Sequence, residues 1–263
     1  MTKLIILSGW ANPKGSLKTL SKELASVFDV LTVSVHDLPS FALQYQDPSL
    51  RAHGDRKNAK ALSGYARGLT GLIERIDGPC LLMGWSAGGL IALETALRRQ
   101  DRIKGLILIS TTARFCADAD YRFGRSVQTV RVMARGLRKD AARVLTGFFE
   151  AAAVPFTEDS GSIKDKVDSA LGLGIDSLCQ GLEYLQHADM RDALGRITTP
   201  SLVLHGKEDM IIPWRAGQMA AEKMRNSRWV LLDGIGHDLP VRSAEYITEQ
   251  VQAFRKNLLT CLT

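Results

Sequence analysis

Gly84-Trp85-Ser86-Ala87-Gly88-Gly89 is the segment with the clearest chemical reading. It follows an apolar run, Cys80-Leu81-Leu82-Met83, and precedes a helical pattern over 88–99. A G-x-S-x-G sequence at a strand-to-helix turn lifts a serine hydroxyl into the open, and the small neighbours let other backbone pass close by. The same turn aims the following helix N-terminus at a reacting carbonyl, so the Ala87 N–H can stabilise an oxyanion. A serine alcohol is a poor nucleophile and needs a base. His237, in Gly234-Ile235-Gly236-His237-Asp238 after the last apolar run, is placed to be that base. His205 competes, but it stands at a strand end ahead of the acid and reads as packing or hydrogen bonding within its loop. His36, His53 and His187 carry no supporting motif. The base needs an orienting carboxylate. Asp209, just past Leu202-Val203-Leu204, is the first choice, with Glu208 its nearest rival and Asp233 and Asp238 weaker ones. A second oxyanion donor belongs in Ser8-Gly9-Trp10-Ala11-Asn12, where Gly9 permits close approach and the Trp10 N–H is the natural donor. Trp10 also fits plain core packing.

These residues need a frame. Short apolar runs recur at 4–7, 30–35, 80–83, 105–109, 202–204 and 229–232. Each is apolar on both faces, as parallel strands buried on both sides are. Helical patterns lie between them at 16–28, 58–77, 88–99, 214–225 and 243–258. Alternation of this kind predicts a doubly wound α/β sheet, mainly parallel, with right-handed crossovers. Residues 113–196 break the rhythm. They hold no convincing strand, and Val130, Ala134, Leu137, Ala141, Val144 and Phe148 fall on one helix face. The expected division is therefore a core of 1–112 and 197–263 with a helical lid of 113–196 over the sheet's C-terminal edge, where such sheets place ligands.

Composition narrows the classes. The chain has 263 residues, 45% hydrophobic and 24% charged, with a formal net charge of +6. That is enough for a full core in one domain and too apolar for a disordered chain. No long uncharged apolar stretch predicts a membrane span, and the N-terminus shows no signal-peptide pattern. Four cysteines, Cys80, Cys116, Cys179 and Cys261, form no CxxC pair, and the five histidines lack ligand spacing. A metal site or disulfide framework is not expected, and a cytoplasmic location is the default. Within 114–143, eight basic side chains face three acidic ones. Arg131, Arg135 and Arg138 are spaced to share a helix face. No nucleic-acid-binding motif accompanies them.

With Ser86, Asp209 and His237 in that chain order, the sequence resembles the α/β-hydrolase superfamily over nearly its whole length. Within it, the sequence is similar to the pimeloyl-[acyl-carrier protein] methyl ester esterases. That likeness rests on Gly9-Trp10, on Gly84-Trp85-Ser86-Ala87-Gly88-Gly89, and on Gly181-Leu182-Glu183-Tyr184-Leu185 with Asp189-Met190-Arg191 ahead of Thr199-Pro200. Ser8-Gly9 stands where that family usually has His-Gly, and Asp37-Leu38-Pro39 runs into Ser40-Phe41-Ala42 rather than Gly-x-Gly. The resemblance implies Ser86 as nucleophile, His237 as base, Asp209 as its partner, and Trp10 and Ala87 as oxyanion donors, with Trp85 grouped among the substrate-binding residues. It implies a serine esterase with no cofactor, acting on a carrier-linked methyl ester, and an acidic acyl carrier protein met by Arg131, Arg135 and Arg138. The alternatives are a general short-chain carboxylesterase or thioesterase, a binding protein on a hydrolase scaffold, and an enzyme of the same fold that cleaves C–C or C–halogen bonds, of which serine at the elbow disfavours the C–halogen case.

Overall fold

Every apolar run of the sequence becomes a strand. A computed structural model describes residues 1–44 and 63–260; His53 and Cys261 lie outside the described residues. The strands are β1 (Lys3–Leu7), β2 (Asp29–Val33), β3 (Cys80–Trp85), β4 (Ile103–Ile109), β5 (Ser201–Gly206) and β6 (Ser227–Leu232). They form one parallel sheet in the order β2-β1-β3-β4-β5-β6. The second strand is shorter than its apolar run, because Val35 already belongs to a 3-10 turn, Val35–Asp37.

The period-2 alternation of strands sorts the core into two layers. Ile5, Leu7, Leu82, Leu106, Leu108 and Val203 face one side, where α3 (Gly64–Glu74) and α4 (Ala87–Ala96) pack. Leu4, Ile6, Leu81, Met83, Ile107 and Ile109 face the other, against α1 (Lys18–Leu24) and α10 (Ala244–Thr260). The chain leaves β1 toward β2 on one side, and the sheet continues from β1 to β3 on the other. This reversal opens a crevice at the strands' C-terminal ends. Pairing of Leu7 with Gly84 puts the loops after β1 and β3 side by side at that crevice.

Between β4 and β5 lie α5 (Val127–Ala153), α6 (Ser160–Leu171) and α7 (Ile175–His187). The single helix face expected over 130–148 is in fact split. Asp140 has φ −156° and ψ 80°, which breaks α5 into two helical halves. Its Oδ1 accepts the Arg143 N–H at 3.1 Å, an N-cap interaction that starts the second half. The apolar spacing survives the break because both halves turn their apolar sides inward: Val130, Leu137 and Phe148 are buried, and Ala134, Ala141 and Val144 pack against them.

The chain enters and leaves this helical segment through a neck. The Met190 N–H donates to Ala113 O at 2.8 Å. Arg114 pairs with Asp189, and Arg191 bridges Asp189 and Asp118 at 2.8 Å each. Burial alone would raise the Asp189 carboxyl, but hydrogen bonds from Arg191 and Arg114 outweigh it and hold it at about 2. The Arg191 guanidinium also lies 5.3 Å over the Tyr121 ring. No helix among the described residues is long and apolar enough to cross a membrane. Among the same residues no cluster of His, Cys, Asp and Glu could hold a metal ion.

Candidate active site

Strand β3 ends at Trp85, and the next residue carries φ +56° and ψ −119°. That is Ser86, in a conformation an L-residue adopts only when its surroundings over-determine it. The surroundings do so here. The Ser86 N–H donates to Ile109 O at 2.9 Å, and its carbonyl accepts from Gly89 N at 3.0 Å and Thr111 Oγ1 at 2.7 Å. At Gly88 a Cβ would sit 2.6 Å from Ser8 O, so only glycine lets the first turn of α4 lie against the end of β1.

The hydroxyl that this turn presents has a partner at once. Ser86 Oγ lies 3.0 Å from His237 Nε2, and His237 Nδ1 lies 2.8 Å from Asp209 Oδ2. A carboxylate only accepts. The ring therefore carries its proton on Nδ1, and Nε2 is free to accept the serine proton. Asp209 is fixed by its own loop, since Oδ1 accepts the Ile211 and Ile212 N–H groups at 2.8 Å each. Burial would raise this carboxyl, but the charge of His237 and the hydrogen bonds from His205 and His237 hold it far below the usual carboxylate range.

The rivals for these places are accounted for. His205 Nε2 lies 2.9 Å from Ile212 O and 3.2 Å from Asp209 Oδ2, so it steadies the acid's loop from within, as read from the sequence. Glu208 accepts from Ile235 N, Asp233 pairs with Lys207, and Asp238 pairs with Lys166. His187 sits on its helix bonded to Glu183 O.

Ala87 opens α4, where the first N–H groups have no partner within the helix. Gly9 passes so close that a Cβ there would come 3.3 Å from Ser86 Cβ, which sets the start of the Trp10 loop beside Ser86. Trp85 differs from its expected place. It does not line the cavity above Ser86; its indole N–H donates to His237 O at 3.0 Å and ties the strand before Ser86 to the loop of His237. Thr111, which no motif singles out, does comparable work on the Ser86 carbonyl. A hydroxyl just past the strand beside the elbow strand was the signal for it.

Above Ser86 lies a cavity of about 590 Å³. Phe115, Val130, Met133, Val144, Phe148 and Leu182 make its walls mostly apolar, and both halves of α5 contribute. Arg125, Lys139 and Arg143 also border it. Arg131, Arg135 and Arg138 do not. They line a second groove of about 530 Å³, between the first half of α5 and α7, together with Asp176 and Glu183. Six of the eight basic residues of 114–143 thus fall into two sets of three, one at each cavity.

A family model described as the alpha/beta hydrolase family matches residues 4–249, and the chain belongs to that family. Among curated relatives, a pimeloyl-[acyl-carrier protein] methyl ester esterase of Neisseria meningitidis serogroup B is 28% identical over 236 residues, covering 89% of this chain and 85% of that protein. The protein of the same name from Nitrosomonas europaea is 27% identical over 238 residues, covering 89% and 88%. Among solved structures, an esterase from Exiguobacterium antarcticum superposes with a TM-score of 0.82 at 20% identity, covering 97% of this chain and 92% of that one.

Proposed function

We propose that the protein is a serine esterase that removes the methyl group from a pimeloyl-acyl carrier protein methyl ester, releasing methanol and the free carboxylate. The observation that carries this reading is the unbroken relay Ser86–His237–Asp209 at the floor of an apolar cavity bordered by cations. Relatives bearing that activity's name align along most of the chain, which supports the choice of substrate.

In the reaction, Ser86 Oγ attacks the ester carbonyl carbon while His237 Nε2 takes its proton. The carbonyl oxygen becomes an oxyanion between the Trp10 and Ala87 N–H groups. His237 then returns the proton to the methoxy oxygen as the C–O bond breaks, and methanol leaves. Water, deprotonated by His237, attacks the acyl-enzyme, and collapse frees Ser86 and the acid. Asp209 stays ionised throughout and stabilises the imidazolium. The apolar walls suit the methylene chain of the acyl group. Arg125, Lys139 and Arg143 suit the anionic phosphate of a carrier's prosthetic arm. Arg131, Arg135 and Arg138, exposed on the outer groove, suit the acidic body of the carrier, which their charge would also steer. The small-molecule part of the substrate alone would use only the inner set.

The test is turnover of the carrier-linked methyl ester beside a small p-nitrophenyl ester, with Ser86→Ala as control. Ser86-dependent cleavage of the carrier ester, favoured over the small one in kcat/KM, is the expected result. Cleavage of the small ester alone keeps the serine hydrolase and discards the carrier substrate. Full turnover by Ser86→Ala discards both.

A further inference from the structure

His36 carries no motif, belongs to none of the relay, and yet touches the loop that bears Trp10. It sits in the short 3-10 turn after β2, half-buried. Its Nε2 lies 3.2 Å from the Ala11 N–H, and its Nδ1 lies 2.9 Å from Ser177 Oγ on the first turn of α7. A backbone N–H only donates, so Nε2 must be the bare nitrogen and Nδ1 must carry the proton. Burial pushes the imidazolium down to about 4, which keeps this acceptor bare at neutral pH.

What His36 holds is one end of a peptide plane. The peptide joining Trp10 to Ala11 donates its N–H to His36, and its carbonyl accepts from Asn12 Nδ2 at 2.9 Å. A planar trans peptide gripped at both poles cannot rotate. The preceding peptide joins Gly9 to Trp10, and its carbonyl accepts the Asn12 N–H at 3.2 Å. In a trans peptide the N–H points opposite to the carbonyl. The Asn12 contact therefore sets the heading of the Trp10 N–H, and the His36 contact stops the next plane from swinging it away. Ala11 needs such a grip, because it holds φ +57° and is fully buried. The side chain of Trp10 is tied to the same helix as His36: its indole N–H donates to Leu178 O at 2.9 Å. At Gly181 a Cβ would strike Trp10 Cδ1 at 2.6 Å, so that helix lies flat against the indole.

We propose that His36 is a positioning residue of the esterase reaction, wedged between Ala11 and Ser177 so that it fixes the loop presenting the Trp10 N–H and joins that loop to α7. The proposal rests on the reading of Trp10 as an oxyanion donor. Loss of His36 leaves the Ala11 N–H buried without its acceptor, and the loop relaxes to recover one. The substrate's ground state makes little use of the oxyanion site, so the loss falls on kcat rather than KM.

The experiment compares wild type, His36→Ala, His36→Gln and Ser177→Ala on a p-nitrophenyl ester, with thermal unfolding of each and with inhibition by an alkylboronic acid, whose tetrahedral adduct places an oxygen in the oxyanion site. For His36→Ala a fall in kcat of about 10- to 100-fold is expected, with KM little changed. Boronate affinity should fall by a similar factor. His36→Gln, which can both accept and donate, should recover most of both. Ser177→Ala should fall between His36→Gln and His36→Ala. A His36→Ala enzyme with native kcat, or one whose kcat falls while boronate affinity holds, overturns the positioning role. If it unfolds instead, Ser177→Ala and His36→Gln decide: kcat and boronate affinity moving together in Ser177→Ala, but not in His36→Gln, support the role, and the absence of that pattern overturns it. A wild type that shows no Ser86-dependent turnover overturns the esterase reading itself, which is a different result.

Discussion

The sheet edge and the helical segment above it hold their functional groups by different means. At the sheet edge backbone groups do most of the holding, with the Thr111 hydroxyl, the Trp85 indole and His205 adding side-chain support. Ser86 is pinned through its own N–H and carbonyl, and Asp209 by two N–H groups of its loop. In the helical segment side chains do it: the ion cluster of Arg114, Asp118, Asp189 and Arg191 at the neck, and the Trp10 and His36 contacts to α7. Backbone ladders tolerate many substitutions, whereas a side-chain clamp is lost with a single one. Substitution of Ser86, Asp209 or His237 should therefore cost chemistry directly, whereas substitution in the segment above should cost specificity, local stability and, through Ser177, the setting of the Trp10 loop.

The largest effect expected is on Ser86. Ser86→Ala should lower kcat by about 10⁴-fold or more without changing the fold, as measured by steady-state turnover and thermal unfolding. Asp209→Asn should come next, at about 10³- to 10⁴-fold in kcat, because an amide can leave the imidazole in the wrong tautomer. Charge reversal sharpens the comparison between the two basic sets. Lys139→Glu with Arg143→Glu, beside Arg131→Glu with Arg135→Glu, should each lower kcat/KM for the carrier ester by about 10-fold and spare a small ester. The difference from wild type should shrink as salt is raised. The smallest effect falls on the neck. Asp189→Asn should cost about 1–2 kcal/mol of stability at neutral pH. The folded-state carboxyl, at about 2, lies below its unfolded value of about 3.9. Its contribution is therefore complete above about pH 4 and fades as the pH falls through about 2, so the unfolding curves of variant and wild type should converge there.

What could be read from the sequence follows the same division. Apolar runs disclosed each strand, since burial on both faces leaves a run no other reading. Ser86, Asp209 and His237, which the structure brings together, were legible because each lies a few residues past such a run. The break at Asp140 was not, because the apolar spacing continues across it; only an aspartate three residues before Arg143, in a cap's position, hinted at a new start. His36, Thr111 and the indole of Trp85 act through contacts 25 to 152 residues away in the chain, which spacing cannot report.

The hydrogen bond from Met190 to Ala113 brings together two residues that bracket the whole helical segment. Closing that gap directly would ask little loop-closure entropy of the sheet domain, and the neck is in this sense a natural graft point. A protein shortened there could keep its sheet, though the His237 loop would lose the Ala152 carbonyl and Lys166, which both meet Asp238. It would also lose Ser177, Leu178 and Gly181, the surface on which Trp10 and His36 rest. The segment is detachable as a piece of topology but, on the proposed roles of Trp10 and His36, not as a piece of mechanism. A helical segment transplanted in its place would have to bring a matching carbonyl and hydroxyl for Trp10 and His36, however well its cavity suited a new acyl group.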